Sequence, residues 1–574
     1  MFTIYDIEVF PHEWLVVFEQ DGQITRVHND RDALMRHLSG VRILVGYNNY
    51  NYDDKIIAAI LKDLDPYETS QKIISGKPFS LRLNNPLTLD VMQEINKQGL
   101  SLKEAQANMG QSIFETPIAF DLDRPLTTQE LERVFRYCEN DVLATKEIFE
   151  KRESYFASKF ELVKEFKLPL SEVKKTRAQL SASILKAKKK PKVEEDRLTI
   201  SLDERFFKNS LPQTVLDFFQ SLNDRFTAGA DPEDLEKEKL TYTLCGVEHQ
   251  YGLGGLHGAR ENYQGKGQYM QIDISSFYPT LMINHHLISR AATQPELYKR
   301  IYNQRLQLKQ ANDPKQEIYK LVLNSTFGAS KSKWNPLYDP RQFNNITAYG
   351  QLVLTNLIVL LEAYVELVQS NTDGIIVQYE NEELIRGLCE GFSEYYQVSF
   401  DIDLIDRIAQ RDVNNYVVRY QNGKIKAKGR FAYFEGGNYE RNSLTIIDKA
   451  LVDYYMKGIR MNKTVVDCWK KGELERFQLV AKAGKFDGMA HEVFYQTLLE
   501  DNRVSEFKPI QKVNRVFATK DREVGGVYRT KKDKYSKVPY TSDHCLVWNK
   551  ELSKLDKRKI DLNWYIREIE KHVF

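Results

Sequence analysis

Apolar residues recur with a period of two in Ile4-Tyr-Asp-Ile-Glu-Val-Phe10, which predicts a strand carrying Asp6 and Glu8 on one face. Ile43-Leu-Val-Gly-Tyr47 predicts a second strand, which runs into Asn49-Tyr-Asn-Tyr-Asp53 and sets Asp53 at the start of a helix. From Thr128 to Lys151 the period turns helical, with Tyr137 and Asp141 four apart on one face. Helical and charged stretches alternate from Glu153 to Gln250 and read as a connector. Gln268 to Pro279 is a strand that stops at the proline, with Asp273 near its end. Two helices follow, over Arg300–Lys309 and Lys320–Gly328; in the second, Lys320, Asn324 and Phe327 fall on one stripe. A long amphipathic helix is expected from Ile346 to Ala363. It leads to Leu367–Tyr379, two runs rich in β-branched residues around Asn371-Thr-Asp-Gly374, a hairpin with Asp373 at its tip. From Phe431 onward the pattern is read as alternating helices.

A chain of 574 residues holds roughly three to five domains. Its 42% hydrophobic and 28% charged residues are globular values, and its most apolar stretch, Leu352 to Val368, is interrupted by Thr355, Asn356, Glu362 and Glu366, so no bilayer span is expected. No basic-then-apolar leader opens the sequence. Five scattered cysteines without CxxC spacing favour a reducing compartment and argue against structural zinc.

The net charge of +2 does not announce nucleic acid, but its distribution points there. Lys508 to Lys537 holds ten Lys/Arg against three Asp/Glu, interleaved with Phe517, Tyr528 and Tyr535, which suits a surface tracking phosphates. Lys186-Ala-Lys-Lys-Lys-Pro-Lys192 is shorter and reads as an exposed linker.

Asp6/Glu8, Asn49…Asp53 and Tyr137…Asp141, in that order, resemble the three exonuclease motifs of the proofreading domain of family B DNA polymerases. Further along, Asp273-Ile-Ser-Ser-Phe-Tyr-Pro279 resembles motif A of that family with Phe277 in place of a leucine. Lys320-Leu-Val-Leu-Asn-Ser-Thr-Phe-Gly328 resembles motif B with Phe327 in place of a tyrosine, and Asn371-Thr-Asp373 resembles an Asp-Thr-Asp motif whose first acid is missing. Tyr251-Gly-Leu-Gly-Gly255 looks like the family's YxGG segment with one extra residue. Arg411-Asp-Val-Asn-Asn-Tyr416 sits where relatives have Lys-x-Tyr, with Asn414 for the lysine, and Lys428-Gly-Arg430 follows.

The resemblance implies an α/β multidomain chain, with an RNase H-like 3′–5′ exonuclease domain and a right-hand polymerase of palm, fingers and thumb. The boundaries would be exonuclease 1–152, connector 153–250, palm 251–299 with motif A, fingers 300–345 with motif B, palm 346–430 with the hairpin, and thumb 431–574. Asp6, Glu8, Asp53 and Asp141 would hold two ions, Mg²⁺ or alternatively Mn²⁺, and Tyr137 would orient the attacking water. Asp273 and Asp373 would hold two more. Tyr278 would exclude a 2′-hydroxyl, Arg305, Lys309 and Lys320 would clamp the dNTP triphosphate, and Asn324 and Phe327 would pack the nascent base pair. Asn49, Tyr251, Gly254, Gly255, Tyr416 and Lys428 would touch primer–template DNA. Asp90 is read as structural, and a catalytic lysine known in some relatives has no clear counterpart.

Asp273 to Lys320 spans 47 residues and Asn324 to Asp373 spans 49, which leaves no room for the terminal-protein and strand-displacement insertions of the protein-primed phage polymerases. The expectation is therefore a compact phage-type, primer-dependent replicative enzyme with weak unaided strand displacement. It would be a monomer in a host cytoplasm, with helicase, primase and single-strand-binding protein as further partners. Two alternatives come from other classes, a nuclease with a degenerate polymerase core and a non-catalytic nucleic-acid-binding scaffold. A third, primer-independent synthesis, lies within the class.

Overall fold

The computed structural model describes residues 2–77, 79–95, 97, 99–116, 118–189, 211–432, 439–496, 503–532 and 534–574. Lys190, Pro191 and Lys192 of the expected linker lie outside them. The chain is mixed α/β and divides into two units: Met1–Ser158 with Phe434–Ala450 and Arg460–His572, and Lys159–Tyr433 with Leu451–Ile459 and Val573–Phe574. Among the described residues no helix is long and apolar enough to cross a membrane.

The first unit opens with a five-stranded sheet in the order Gln23–His28, Trp14–Gln20, Phe2–Val9, Ile43–Gly46, Leu87–Asp90. The first three are antiparallel neighbours and the last two join in parallel. Phe2–Val9 buries Tyr5, Ile7 and Val9 on one face and leaves Asp6 and Glu8 half-buried on the other, as its alternation requires. Helix Thr128–Lys151 begins and ends where its periodicity places it. Thr127 accepts from the Glu130 amide while Glu130 reaches back to the Thr127 amide, which satisfies two donors that the first turn cannot.

The C-terminal part of this unit is built differently from the expected helices. A three-stranded sheet (Leu479–Lys482, Val513–Ala518, Cys545–Val547) and a four-stranded one (Arg503–Ile510, Gly488–Gln496, Val524–Lys531, Lys534–Lys537) form its body. Valines, phenylalanines and tyrosines dominate these runs, and each strand is short enough for its period to be mistaken for helix.

The second unit is organised on nine antiparallel strands. Tyr263–Ile274 lies near the middle, between Phe400–Asp412 and Gly374–Tyr379. Val365–Asn371 and His257–Ala259 follow, and Val247–Tyr251 with Leu240–Leu244 close that edge, so the end of the expected connector belongs to this sheet. Helices Pro295–Gln310 and Gln316–Lys331 form a hairpin across a five-residue link. The strand carrying Asp273 stops at Ile274; Ser276 turns the chain with φ 51°, and Pro279 sits inside helix Phe277–Asn284, where a first-turn proline costs no hydrogen bond. Helix Pro340–Leu361 starts six residues before its expected origin and is not amphipathic, since every residue from Phe343 to Ile358 is buried. Thr355 and Asn356 find internal partners: Tyr251 and Thr355 share a hydroxyl bond of 2.9 Å, and the Asn356 amide donates to the Tyr396 hydroxyl at 2.7 Å.

Candidate active sites

The first site forms where strand Phe2–Val9, the start of helix Asp53–Leu61 and one face of helix Thr128–Lys151 meet. Oxygens of Asp6 and Glu8 and the sulfur of Cys138 lie within 4.8 Å of one another. The Cys138 thiol donates to the backbone and the carboxylate of Asp6, both at 3.4 Å. Asp53 and Asp141 are buried. Burial and then the charge of Asp141 push Asp6 up to about 7. Glu8, Asp53 and Asp141 are raised as well, burial first in each, with Asp6 the next cause for Glu8 and Asp53. Acids in this condition suit a hard cation, which would relieve both desolvation and repulsion. Lys103 brings a cation to the site: it pairs with Asp141 and lies 4.2 Å from the centre of the Tyr137 ring. Tyr137 is raised by burial and by Asp141, Glu8 and Asp6, and so stays a neutral phenol.

Asp54, adjacent to Asp53, braces this corner. It accepts from the Tyr5 hydroxyl (2.5 Å), the Asn49 amide (2.9 Å) and the Thr88 hydroxyl (2.7 Å). Asn49 was expected at the primer end; its side chain is fully buried and holds the helix start instead. Asp90 accepts from the amides of Asn48 and Met92, both at 2.8 Å.

The second site is the hairpin tip of the second unit. Asp273 is the cross-strand neighbour of Gly374, and a Cβ at that glycine would collide with the Asp273 carboxylate, so only glycine admits the close approach of turn and strand. Thr372 sits at φ 57°, a strained value for a β-branched residue, and is held there by its amide on Leu256 O at 2.9 Å. The Ile274 amide donates to Asp373 O at 2.7 Å and closes the turn against the strand. Asp273 and Asp373 then face a cleft of about 300 Å³ shared with Tyr416, Lys426 and Lys428. Burial and Asp373 push Asp273 up to about 6, against Lys426. Asp373, exposed at the tip, is still raised by desolvation from the cleft walls while Lys426 and Lys428 pull it back. Two repelling acids beside an open cleft fit a divalent ion as well.

The hairpin of helices supplies the remaining groups. Arg305 is buried and donates to the Ser276 hydroxyl, and Lys309 reaches Asp401, the other cross-strand neighbour of Asp273, at 3.3 Å. The Phe327 ring lies 4.3 Å from that of Tyr278 and stacks on Phe343 at 4.8 Å. Tyr278 in turn packs on Gly350, where a Cβ would stand 3.0 Å from its ring. Lys320 is half-buried and pairs with Glu317 at 3.5 Å, and Asn324 is exposed.

No family model matches the sequence, and no curated protein does. Among solved structures, the chain is similar to the family B DNA polymerase from the hyperthermophilic archaeon Pyrobaculum calidifontis. The identity is 13%, the match covers 100% of this chain and 77% of that one, and the TM-score is 0.41.

Several expected contacts take other roles. Tyr251 was expected at DNA; it is fully buried, with its hydroxyl on Thr355, and is a core residue. Its glycine segment is instead a prop for the hairpin. Gln351 donates to Gly252 O (2.6 Å) and Gly254 O (2.9 Å), while a Cβ at Gly255 would stand 3.1 Å from the Thr372 Cβ and closer still to its hydroxyl. Tyr416 is buried, Gly254 has open space, and Lys428 is exposed with its amide on Tyr416 O at 2.8 Å. In the basic C-terminal stretch, Arg515 is not on the surface at all.

Sequence reasoning missed Lys103, Lys426, Gln351 and Asp54. Lys103 follows Ser101, an N-cap signal for a short helix, but nothing in its spacing ties it to Asp141 thirty-eight residues later.

Proposed function

We propose that the chain is a template-directed DNA polymerase adding dNTPs to a primer 3′-hydroxyl, with a 3′–5′ proofreading exonuclease in its first unit. One observation carries this reading: Asp273 and Asp373 are held side by side by backbone, at a cleft flanked by Lys426 and Lys428. A polyanion with a planar base suits the lysines together with the aromatic pair of Tyr278 and Phe327.

Divalent ions would be held by Asp273 and Asp373 in this unit and by Asp6, Glu8, Asp53 and Asp141 in the first. When bound, such ions offset charge on the phosphate and lower the pKa of the attacking oxygen. The chain's own residues do the rest. Arg305, Lys309 and Lys320 neutralise the triphosphate from one helical hairpin. Tyr278, backed by Gly350, is a rigid wall under the sugar that excludes a 2′-hydroxyl, and Phe327 with Asn324 packs the new base pair. Tyr137 and Lys103 orient groups around Asp141 for phosphodiester hydrolysis. The reading extends to replication of a viral genome in a host cytoplasm by a primer-dependent, monomeric enzyme. The short intervals around motif B support the primer dependence alone.

A 5′-labelled primer annealed to a longer template tests this directly. With dNTPs and Mg²⁺ the primer should lengthen; without dNTPs it should shorten; without primer no product should form. A pure chain that does neither of the first two ends the proposal, and product without primer replaces the priming mode alone.

A further inference from the structure

We infer that Arg515 positions Lys103 for primer degradation, so that the C-terminal sheets set the rate of the exonuclease; the inference rests on the exonuclease reading above. Lys103 lies on Leu102–Asn108, a helix of seven residues. Two turns do not hold themselves in water, so the position of this helix is dictated by what grips it.

It is gripped from both ends. Its first turn presents Lys103 to Asp141 and Tyr137. Beside Lys103, the fully buried Glu104 is paired with Lys97 and, at 2.6 Å, with Lys482 of the three-stranded sheet. The carbonyls at and beyond its last turn are taken by that sheet and the chain around it. Arg515, with 0% exposure, donates to Ala107 O from Nε at 3.2 Å and from Nη2 at 3.1 Å, to Gln111 O from Nη2 at 2.6 Å, and to Lys550 O from Nη1 at 2.8 Å. Gln478 adds bonds to Ala107 O at 3.2 Å and Asn108 O at 2.8 Å.

Burying a guanidinium is costly, and its burial pulls Arg515 down to about 10. A leucine or methionine would fill the same space at less cost if packing were all that mattered. The planar fork does what they cannot: it holds the carbonyls of Ala107 and Gln111 at once, where the negative end of the helix dipole gathers. With that end fixed, the helix cannot turn about its axis, and the Lys103 ammonium stays on Asp141. Arg515 touches none of the reacting atoms and is a positioning residue.

The test uses the full chain and a single-stranded oligonucleotide as substrate. Arg515→Lys keeps the charge but loses the fork. Its kcat for degradation should fall by roughly 2- to 30-fold, with KM and primer extension unchanged. In a Lys103→Met background the same change should have no further effect, because its only route to the chemistry has been removed. Losses that multiply, or an unchanged kcat, overturn the proposal. Should Arg515→Lys fail to fold, Lys482→Gln is carried through the same cycle, with a smaller loss and the same non-additivity expected. If neither Lys103→Met nor Asp141→Ala slows degradation, the exonuclease reading itself fails and takes the coupling with it; if both slow it and Arg515→Lys does not, only the coupling falls.

Discussion

The two acidic sites reach a similar end by opposite means. In the first unit, Asp6, Glu8, Asp53 and Asp141 come from one strand and two helices, and packing locks them: two are buried and all four are raised, with Lys103 pressed against the last. In the second unit only Asp273 stands on a strand. Asp373 is an exposed turn residue whose position is fixed by the Ile274 amide on its carbonyl, by the neighbouring Thr372 amide on Leu256 O, and by glycines at 255 and 374. The first site is precise because its side chains have nowhere to go, and the second because its main chain does not. Damage should follow this division: side-chain loss should empty the first site, and added bulk on the backbone should be enough to spoil the second.

The largest expected effect tests whether the sites are independent. Asp373→Ala should cut primer extension by at least about a hundredfold while leaving degradation of the same primer intact. Extension at the normal rate would mean that the hairpin tip is not where the chemistry occurs. Asp6→Ala with Glu8→Ala should do the reverse, removing degradation and sparing extension. This double variant also carries a stability signature. Deleting desolvated, mutually repelling acids should raise the melting temperature without Mg²⁺ by about 3 °C and shrink the further rise that Mg²⁺ gives the parent chain. A melting temperature that falls would show that these acids hold the fold together and are not crowded by it.

Gly255→Ala probes the other half of the comparison without touching an acid. The new methyl would meet Thr372 and push the tip away from Asp273. Displacement on this scale should slow extension by about 10- to 100-fold, with degradation unchanged. An alanine tolerated at both activities would show that the turn yields freely, and the claim of a backbone-built site would go with it.

What could be read from the sequence divides along the same line. Helix Thr128–Lys151 and strand Phe2–Val9 were legible because a long period and a strict alternation are local signals, and with them came Asp6, Glu8, Tyr137 and Asp141. The hairpin was legible from Asn371 to Gly374 because turn chemistry is local too. Lys103, Gln351 and the burial of Tyr251 were not, since each depends on a partner far off in the chain: Asp141, Gly252 and Thr355. Helix Pro340–Leu361 misled for a related reason. Its Asn, Gln and Thr positions imitate a solvent face, yet they are buried, and Gln351 and Asn356 bond inside the protein. The C-terminal sheets were missed because strands of three to nine residues give periodicity too little length to declare itself.

The smallest expected effect concerns Asn371, at the edge of the second site. Asn371 pairs across the strands with His257, and its amide reaches Val413 O at 3.4 Å, a weak bond whose loss would cost little. Asn371→Asp would add a negative charge to the cleft that already holds Asp273 and Asp373. In a packed site like that of the first unit, such a charge would be ruinous without a cation. Here the cleft is open and Lys426 and Lys428 stand beside it, so solvent and lysines should screen most of the added repulsion. The same charge attracts a divalent ion, so the Mg²⁺ concentration giving half-maximal extension should fall by about threefold while the rate at saturating Mg²⁺ changes by less than that. A Mg²⁺ titration of primer extension reads both quantities at once. A collapse of the saturating rate would mean that the second site is as tightly enclosed as the first, and the contrast between a side-chain site and a backbone site could not stand.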